Sequence, residues 1–188
     1  FARLVQRSGF QVTLLSAEVA DDAGGFGPEF DHLTLLIHQL EGADWLADVG
    51  FGDSFRLPLR FEVDLEQEDT DGRKYRLKRE YEESSQREYW ILQQLHDGTW
   101  ASQYRFTLQP HKLDDFAEMC HYQQTSPGSH FTQKRICSLA TPTGRITLSD
   151  LLLITTIQKQ REERMLQSEG EYQEVLKQRF GIVVERIV

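Results

Sequence analysis

The sequence predicts an α+β chain with an antiparallel β-barrel or sandwich at its heart. Strand-length runs of alternating or β-branched residues dominate the middle. Turn chemistry separates them into consecutive hairpins, and helical spacing sits toward the edges. At 188 residues the chain is long enough for one or two small domains with a real core.

In order along the chain, "FARLVQRSGF" opens in a helix. Phe1, Leu4 and Val5 follow helical spacing and Gly9 is a C′ stop. No Ser, Thr, Asp or Asn precedes Phe1 to cap it, so the helix is expected to begin upstream. "QVTLLSAEV" is a strand, and "ADDAGGFGPEF" is a glycine-rich loop. The next strand places Leu33, Leu35 and Ile37 on one face and His32, Thr34, Leu36 and His38 on the other. "EGAD" turns the chain and "WLADVGFG" runs back. "FEVDLEQ" and "RKYRLKREY" flank "EDTDG"; "REYWILQQL" and "WASQYRFTL" flank "HDGT". "HKLDDFAEMCHYQQT" reads as a helix and "SPGSHF" as a loop. "KRICSLA" and "GRITLSD" flank "TPT", "LLLITTIQ" and "EERMLQ" form a further hairpin, and "EGEYQEVLKQRF" is a helix closed by Gly181.

Composition narrows the function. Hydrophobic content of 39% with 27% charged residues is ordinary for a globular protein, and no apolar run approaches a membrane span. The net charge of −9 argues against a nucleic-acid partner, because phosphate contacts need clustered Lys and Arg. Two cysteines, Cys120 and Cys137, are too few for a disulfide framework and fit a reducing, cytoplasmic setting. Neither CxxC nor HxxxH spacing occurs, so no metal is expected.

His32 and Asp48 are the first candidate site. A carboxylate that orients an imidazole is two thirds of a nucleophilic triad. The alternative is a strand histidine beside an aspartate that caps the turn before Gly50. Hairpin geometry does not join the pair. A turn centred on Gly42-Ala43 sets Asp48 opposite Ile37, five residues or ~16 Å of strand from His32. A bulge, a wider loop or a strong twist is needed to bring them together. Cys120, in a helix beside Phe116 and Met119, and Cys137, in a strand, read as structural thiols rather than nucleophiles. Gly50-Phe51-Gly52 permits a tight turn or the approach of a ligand, with Phe51 as an apolar wall. "HYQQTSPGSHF" is an ordinary helix exit or a ligand-receiving loop with Phe131 turned inward.

"GFQVTLLSAEV", "FDHLTLLI" followed by "WLADVGFGDSF", and "CHYQQTSPGSHFTQKRICSLATPTGRITLSD" together resemble the arylamine N-acetyltransferases in order, spacing and wording. The likeness runs from Gly9 to "LKQRFGI". It implies an antiparallel β-barrel followed by an α/β lid, papain-like catalytic geometry, and an N-terminal helical bundle mostly missing from this chain. The implied domains are 1–10 (end of the helical domain), 11–110 (barrel) and 111–188 (lid). The implied triad is Cys-His-Asp, with His32 and Asp48 as two members. The family's cysteine lies in an RGGxC motif that belongs roughly two helical turns before Phe1. This chain contains neither that motif nor that cysteine, and Cys120 and Cys137 match other positions.

By the same resemblance Phe51, Gly52 and Phe131 border the acyl and arylamine pocket, with Pro28 nearby. Tyr122, Gly128 and Ser129 lie near coenzyme A. Some relatives carry a hydroxyl where this chain has Gly128. Lys134 and Arg135 either meet coenzyme A phosphates or form a solvated strand end. The implied activity is acetyl transfer from acetyl-CoA, through a cysteine thioester, to an arylamine or arylhydrazine. Two other classes remain open on the sequence. One is a catalytically inactive module that binds coenzyme A or an aromatic ligand, and the other is a papain-like thiol hydrolase.

Overall fold

The computed structural model describes residues 1–157 and 160–184. The chain divides into two compact units, Phe1–Cys120 and His121–Val188.

The first unit is an eight-stranded antiparallel sheet rolled into a nearly closed barrel. Its strands are β1 (Gln11–Val19), β2 (His32–Leu40), β3 (Ala43–Ala47), β4 (Leu59–Arg60), β5 (Gln67–Glu68), β6 (Lys74–Glu82), β7 (Arg87–His96) and β8 (Thr99–Phe106), in the spatial order β4-β3-β2-β1-β8-β7-β6-β5. The two end strands are clipped by one side chain. The Gln67 amide accepts from the Arg60 backbone N–H at 2.6 Å and donates to the Arg60 carbonyl at 3.0 Å. This satisfies backbone groups that an open edge would leave to water.

Alternation fills the barrel. Leu15 and Ala17 of β1, Leu36 of β2, Leu46 of β3, Leu59 of β4, Tyr75 and Leu77 of β6, Trp90 and Leu92 of β7, and Tyr104 and Phe106 of β8 form one buried cluster with Phe55. The opposite faces of β2 and β3 build a second cluster from Leu35, Ile37 and Ala47. Ala2 and Val5 of helix α1 (Ala2–Arg7) pack against it. That helix ends as expected, with Gly9 at φ 92°. A 3₁₀ turn (Leu113–Phe116) leads into helix α2 (Ala117–Thr125), and both fall within the helix read over 111–125.

The second unit is a four-stranded antiparallel sheet in the order β12-β11-β10-β9, with β9 (Ile136–Thr141), β10 (Gly144–Ser149), β11 (Leu152–Ile157) and β12 (Gln160–Met165). Gln158, the expected end of the third strand, lies outside the described residues. Leu148, Leu153 and Leu166 pack with Tyr172, Val175 and Leu176 of the following helix, α4 (Glu169–Val175) continued by a π turn (Leu176–Phe180). Ser168 caps α4 by accepting from the Glu171 N–H, and Gly181 ends the π turn at φ 69°. Gly144 is required by contact rather than by dihedral, since a Cβ there would lie 1.9 Å from the Thr156 carbonyl oxygen. The edge strand β12 is exposed throughout and carries Arg161, Glu162, Glu163 and Arg164.

Three sequence expectations change. "FEVDLEQ" forms no strand before Gln67, where β5 begins, and Val63 makes only an isolated parallel bridge to Leu77. Phe61 packs 4.1 Å from the Trp90 ring while Glu62, Val63 and Asp64 stay exposed, so one side chain's packing overrides strand propensity. The "SPGSHF" loop ends in a helical turn, α3 (His130–Gln133), nucleated by Ser129 as N-cap. The β2–β3 register also differs, because Ile37 pairs with Trp45 and not with Asp48. The described helices include none long and apolar enough to cross a membrane.

Leu77 is fully buried, with its packing partners on the facing strands. Leu77→Ala is expected to destabilise the protein by about 3 kcal/mol, read as a lowered urea midpoint at unchanged slope.

Candidate active site

Strand β2 delivers His32 at its first residue, and Asp48 directly follows the last residue of β3. Leu35 pairs with Ala47 and Leu36 with Leu46, so Asp48 continues toward Thr34 on the barrel-core face. His32 belongs to that face too. The two side chains meet, with His32 Nε2 donating to Asp48 Oδ2 at 2.5 Å. The side chain of His32 is 12% exposed and that of Asp48 is 2% exposed.

The register that permits this has two causes. The turn residues are Glu41 and Gly42, at φ 53° and 79°, so Leu40 rather than Glu41 pairs with Ala43. Two positive φ values match the twist of a two-residue hairpin, and glycine adopts the second freely. Between Leu40 and Ile37 the strand then bulges, with His38 and Gln39 together opposing Asp44. Each departure moves Asp48 toward His32.

A buried carboxylate must be solvated by donors of the protein. Asp48 has four. Oδ1 accepts the backbone N–H groups of Gly50 at 2.9 Å and Phe51 at 3.2 Å. Oδ2 accepts His32 Nε2–H and the Tyr104 hydroxyl, the latter at 3.1 Å. Tyr104 in turn accepts from Thr34 Oγ1 at 3.2 Å. Burial, reinforced by the Asp48 charge, holds the Tyr104 hydroxyl well above its ordinary pKa, so it stays a proton donor. A carboxylate only accepts, so the His32 proton is fixed on Nε2 and the Nδ1 lone pair is left over. Among the described residues nothing hydrogen-bonds to Nδ1.

Aromatic edges wall this pair. The Phe51 ring stands edge-on to His32, with centroids 5.1 Å apart, and to Tyr104 at 4.9 Å. Gly50 leaves 3.6 Å between the place of a Cβ and His32 Cε1. The loop beyond is anchored from the β5–β6 hairpin. The Arg73 guanidinium donates to the carbonyls of Asp53 at 3.2 Å and Ser54 at 3.0 Å, and to the carboxylate of Asp53 at 2.8 Å. The same group reaches fully buried Asp69 at 3.3 Å.

The structure thus joins His32, Asp48 and Phe51, with Gly52 one residue further at φ 73°. At Asp48 the imidazole contact and the turn cap are made together: one oxygen holds the imidazole and the other holds the turn.

The remaining expected site residues belong to the second unit, where Tyr122, Gly128 and Ser129 cluster. A Cβ on Gly128 would sit 2.9 Å from the Tyr122 hydroxyl, so that hydroxyl occupies the space of a side chain at 128. Ser129 is 2% exposed, and its hydroxyl bonds Gln123 Oε1 at 2.5 Å and accepts from the Phe131 N–H. The Phe131 ring is 66% exposed. Arg135 braces its own unit, pairing with Glu169 at 2.6 Å and covering the Tyr172 ring. Cys137 contacts the second core, and burial pushes its thiol up, away from thiolate character.

Sequence reasoning missed Tyr104 and Arg73. Tyr104 shares an alternation face with Phe106, and a buried tyrosine hydroxyl needs a partner. Its partner lies 56 residues away.

A model of the N-acetyltransferase family matches residues 1–188. The human arylamine N-acetyltransferase 1 is 32% identical over 95% of this chain and 67% of its own length. The arylamine N-acetyltransferase of Salmonella typhimurium superposes with a TM-score of 0.86 at 28% identity, covering 100% of this chain and 66% of its own. The Mycobacterium marinum arylamine N-acetyltransferase, solved in complex with CoA, superposes with a TM-score of 0.82 at 23% identity, covering 96% of this chain and 65% of its own. The chain spans about two thirds of the length of these relatives. It belongs to the arylamine N-acetyltransferase family.

Tyr104→Phe removes one of the two donors to Asp48 Oδ2. The expected result is a loss of about 2 kcal/mol in unfolding free energy, with the near-native circular dichroism spectrum retained.

Proposed function

We propose that this chain supplies the imidazole and carboxylate of a Cys-His-Asp acyltransferase. The reaction is ping-pong transfer of an acetyl group from acetyl-CoA to an arylamine or arylhydrazine. The observation that carries the reading is the 2.5 Å bond from His32 Nε2 to Asp48, which leaves Nδ1 available to a thiol.

In the first half-reaction a cysteine gives its proton to His32 Nδ1. The resulting thiolate–imidazolium pair is stabilised by the Asp48 charge behind it. The thiolate attacks the thioester carbonyl of acetyl-CoA, the C–S bond to coenzyme A breaks, and the leaving thiolate takes the proton from Nδ1. In the second half-reaction the amine nitrogen attacks the acetyl-cysteine. His32 Nδ1 accepts a proton from the nitrogen, and the cysteine departs as thiolate. The nucleophile is assigned to the family's RGGxC motif. Cys137, its thiol held protonated by burial, is not a candidate.

Phe51 and Gly52 are placed against the acetyl group and Phe131 against the arylamine. Tyr122, Gly128 and Ser129 are placed near coenzyme A. The exposed Tyr122, with its hydroxyl beside Gly128, supports a polar contact from the tyrosine where a side chain at 128 is missing. Ser129 supports the loop rather than reaching out, since its hydroxyl is already engaged.

In the full-length protein, His32→Gln is expected to lower arylamine acetylation by at least about 10³-fold. Stopped-flow mixing with acetyl-CoA alone is expected to give a burst of one coenzyme A per protein, followed by turnover only when arylamine is added. Retained acetylation in His32→Gln, or steady hydrolysis without an acceptor, overturns the reading.

A further inference from the structure

We propose that Asp44 is a positioning residue whose carboxylate holds open the β2–β3 bulge and thereby selects the strand register that turns Asp48 toward His32. The inference gives a new role to a residue outside the site and rests on the proposed function only for its effect on activity.

The argument begins with parity. Successive residues of a strand face opposite sides, so a one-residue slip exchanges the two faces of β3 relative to β2. If Leu40 stays paired with Ala43 and the bulge is removed, Asp48 comes opposite Leu35 and Leu46 opposite Ile37. Leu35 and Ile37 belong to the outer cluster. Asp48 would then point away from His32, and Leu46, now fully buried in the barrel, would leave it. Both the dyad and the core therefore require the extra residue.

That residue is unfavourable on its own. Gln39 sits at φ 53°, where a side chain costs about 1 kcal/mol, and its N–H has no place in a regular ladder. Asp44, the single residue facing the bulged pair, answers both residues. Its Oδ1 accepts the Gln39 backbone N–H at 3.0 Å and its Oδ2 lies 3.2 Å from His38 Nδ1. His38 Nε2 is in turn 2.8 Å from Thr13 Oγ1 on β1, which ties the bulge to a third strand. The Asp44 carboxyl is held below the usual carboxylate range, chiefly by the Gln39 N–H and also by His38. An alanine at 44 would leave the bulge without its acceptor, and the unbulged register would become competitive.

The test is NMR on isotope-labelled full-length protein. The wild type should show cross-strand contacts between Ile37 and Trp45 and a downfield His32 ring proton shared with Asp48. Asp44→Ala is expected to lose at least half the intensity of both, with new Ile37–Leu46 contacts from the slipped strand. Asp44→Asn keeps an oxygen for the Gln39 N–H and should retain the native pattern. Gln39→Gly, which relieves the positive φ, should restore it in the Asp44→Ala background. In acetylation assays Asp44→Ala should lower kcat in proportion to the slipped fraction, with KM for acetyl-CoA unchanged. Full retention of both signals in Asp44→Ala overturns the proposal. Should Asp44→Ala fail to fold, Asp44→Asn decides: native register supports the assignment and slipped register refutes it. Native register in all variants of a protein that transfers no acetyl group would sink the functional reading as well; slippage in such a protein would leave this assignment standing.

Discussion

Everything at the site depends on solvating one carboxylate inside a hydrophobic barrel. Stripped of water, Asp48 would be strongly unfavourable. The protein surrounds it with an imidazole N–H, a phenol and two backbone amides. Each donor constrains something else. The amides fix the Gly50-Phe51 turn, the phenol fixes β8 against β2, and the imidazole becomes fixed in one tautomer. A single desolvated charge thus organises a turn, an aromatic wall and a proton acceptor. The chemistry inferred for His32 follows from satisfying that charge rather than from any separate device.

The barrel meets this demand through its topology. β2 and β3 are neighbours, β1 joins them to β8, and β8 brings Tyr104 across from the far side of the sequence. Arg73, on the other arm of the sheet, reaches back to hold the loop that follows Asp48. The clip of Gln67 onto Arg60 brings the sheet ends together, so this second support comes from an element with no strand contact to β2. A flat sheet with the same strands would have left those groups apart.

Much of this was legible in the residues. β1, β7, β8 and the β9–β10 hairpin fall where alternation and turn chemistry put them, because each is a local pattern with a local end signal. The two faces of β2 also follow, since the Leu33-Leu35-Ile37 face is apolar and packs in one cluster while Leu36 of the His32-Thr34-Leu36-His38 face packs in the other. The register of β3 was not legible from pattern. It is set by a positive φ at Gln39, a residue with no intrinsic preference for that conformation, and by Asp44, whose role is visible only once the strands are paired. The His32–Asp48 pair was reached through family likeness rather than spacing. Residues 61–66 carried strand-like alternation, but Phe61 is drawn to the Trp90 ring and the segment keeps only an isolated bridge from Val63 to Leu77 of β6.

The second sheet treats its outer margin differently from the barrel. Among the described residues β12 stays exposed, yet its row of Arg161, Glu162, Glu163 and Arg164 is knitted to itself and to α4, with Arg161 pairing Glu163 and Arg164 pairing Glu171. A foreign strand seeking to extend this sheet would have to dismantle those pairs and bury charges beside its own backbone. The unit therefore carries built-in resistance to runaway β-polymerisation, even though its ladder stops at an unprotected row of amides and carbonyls.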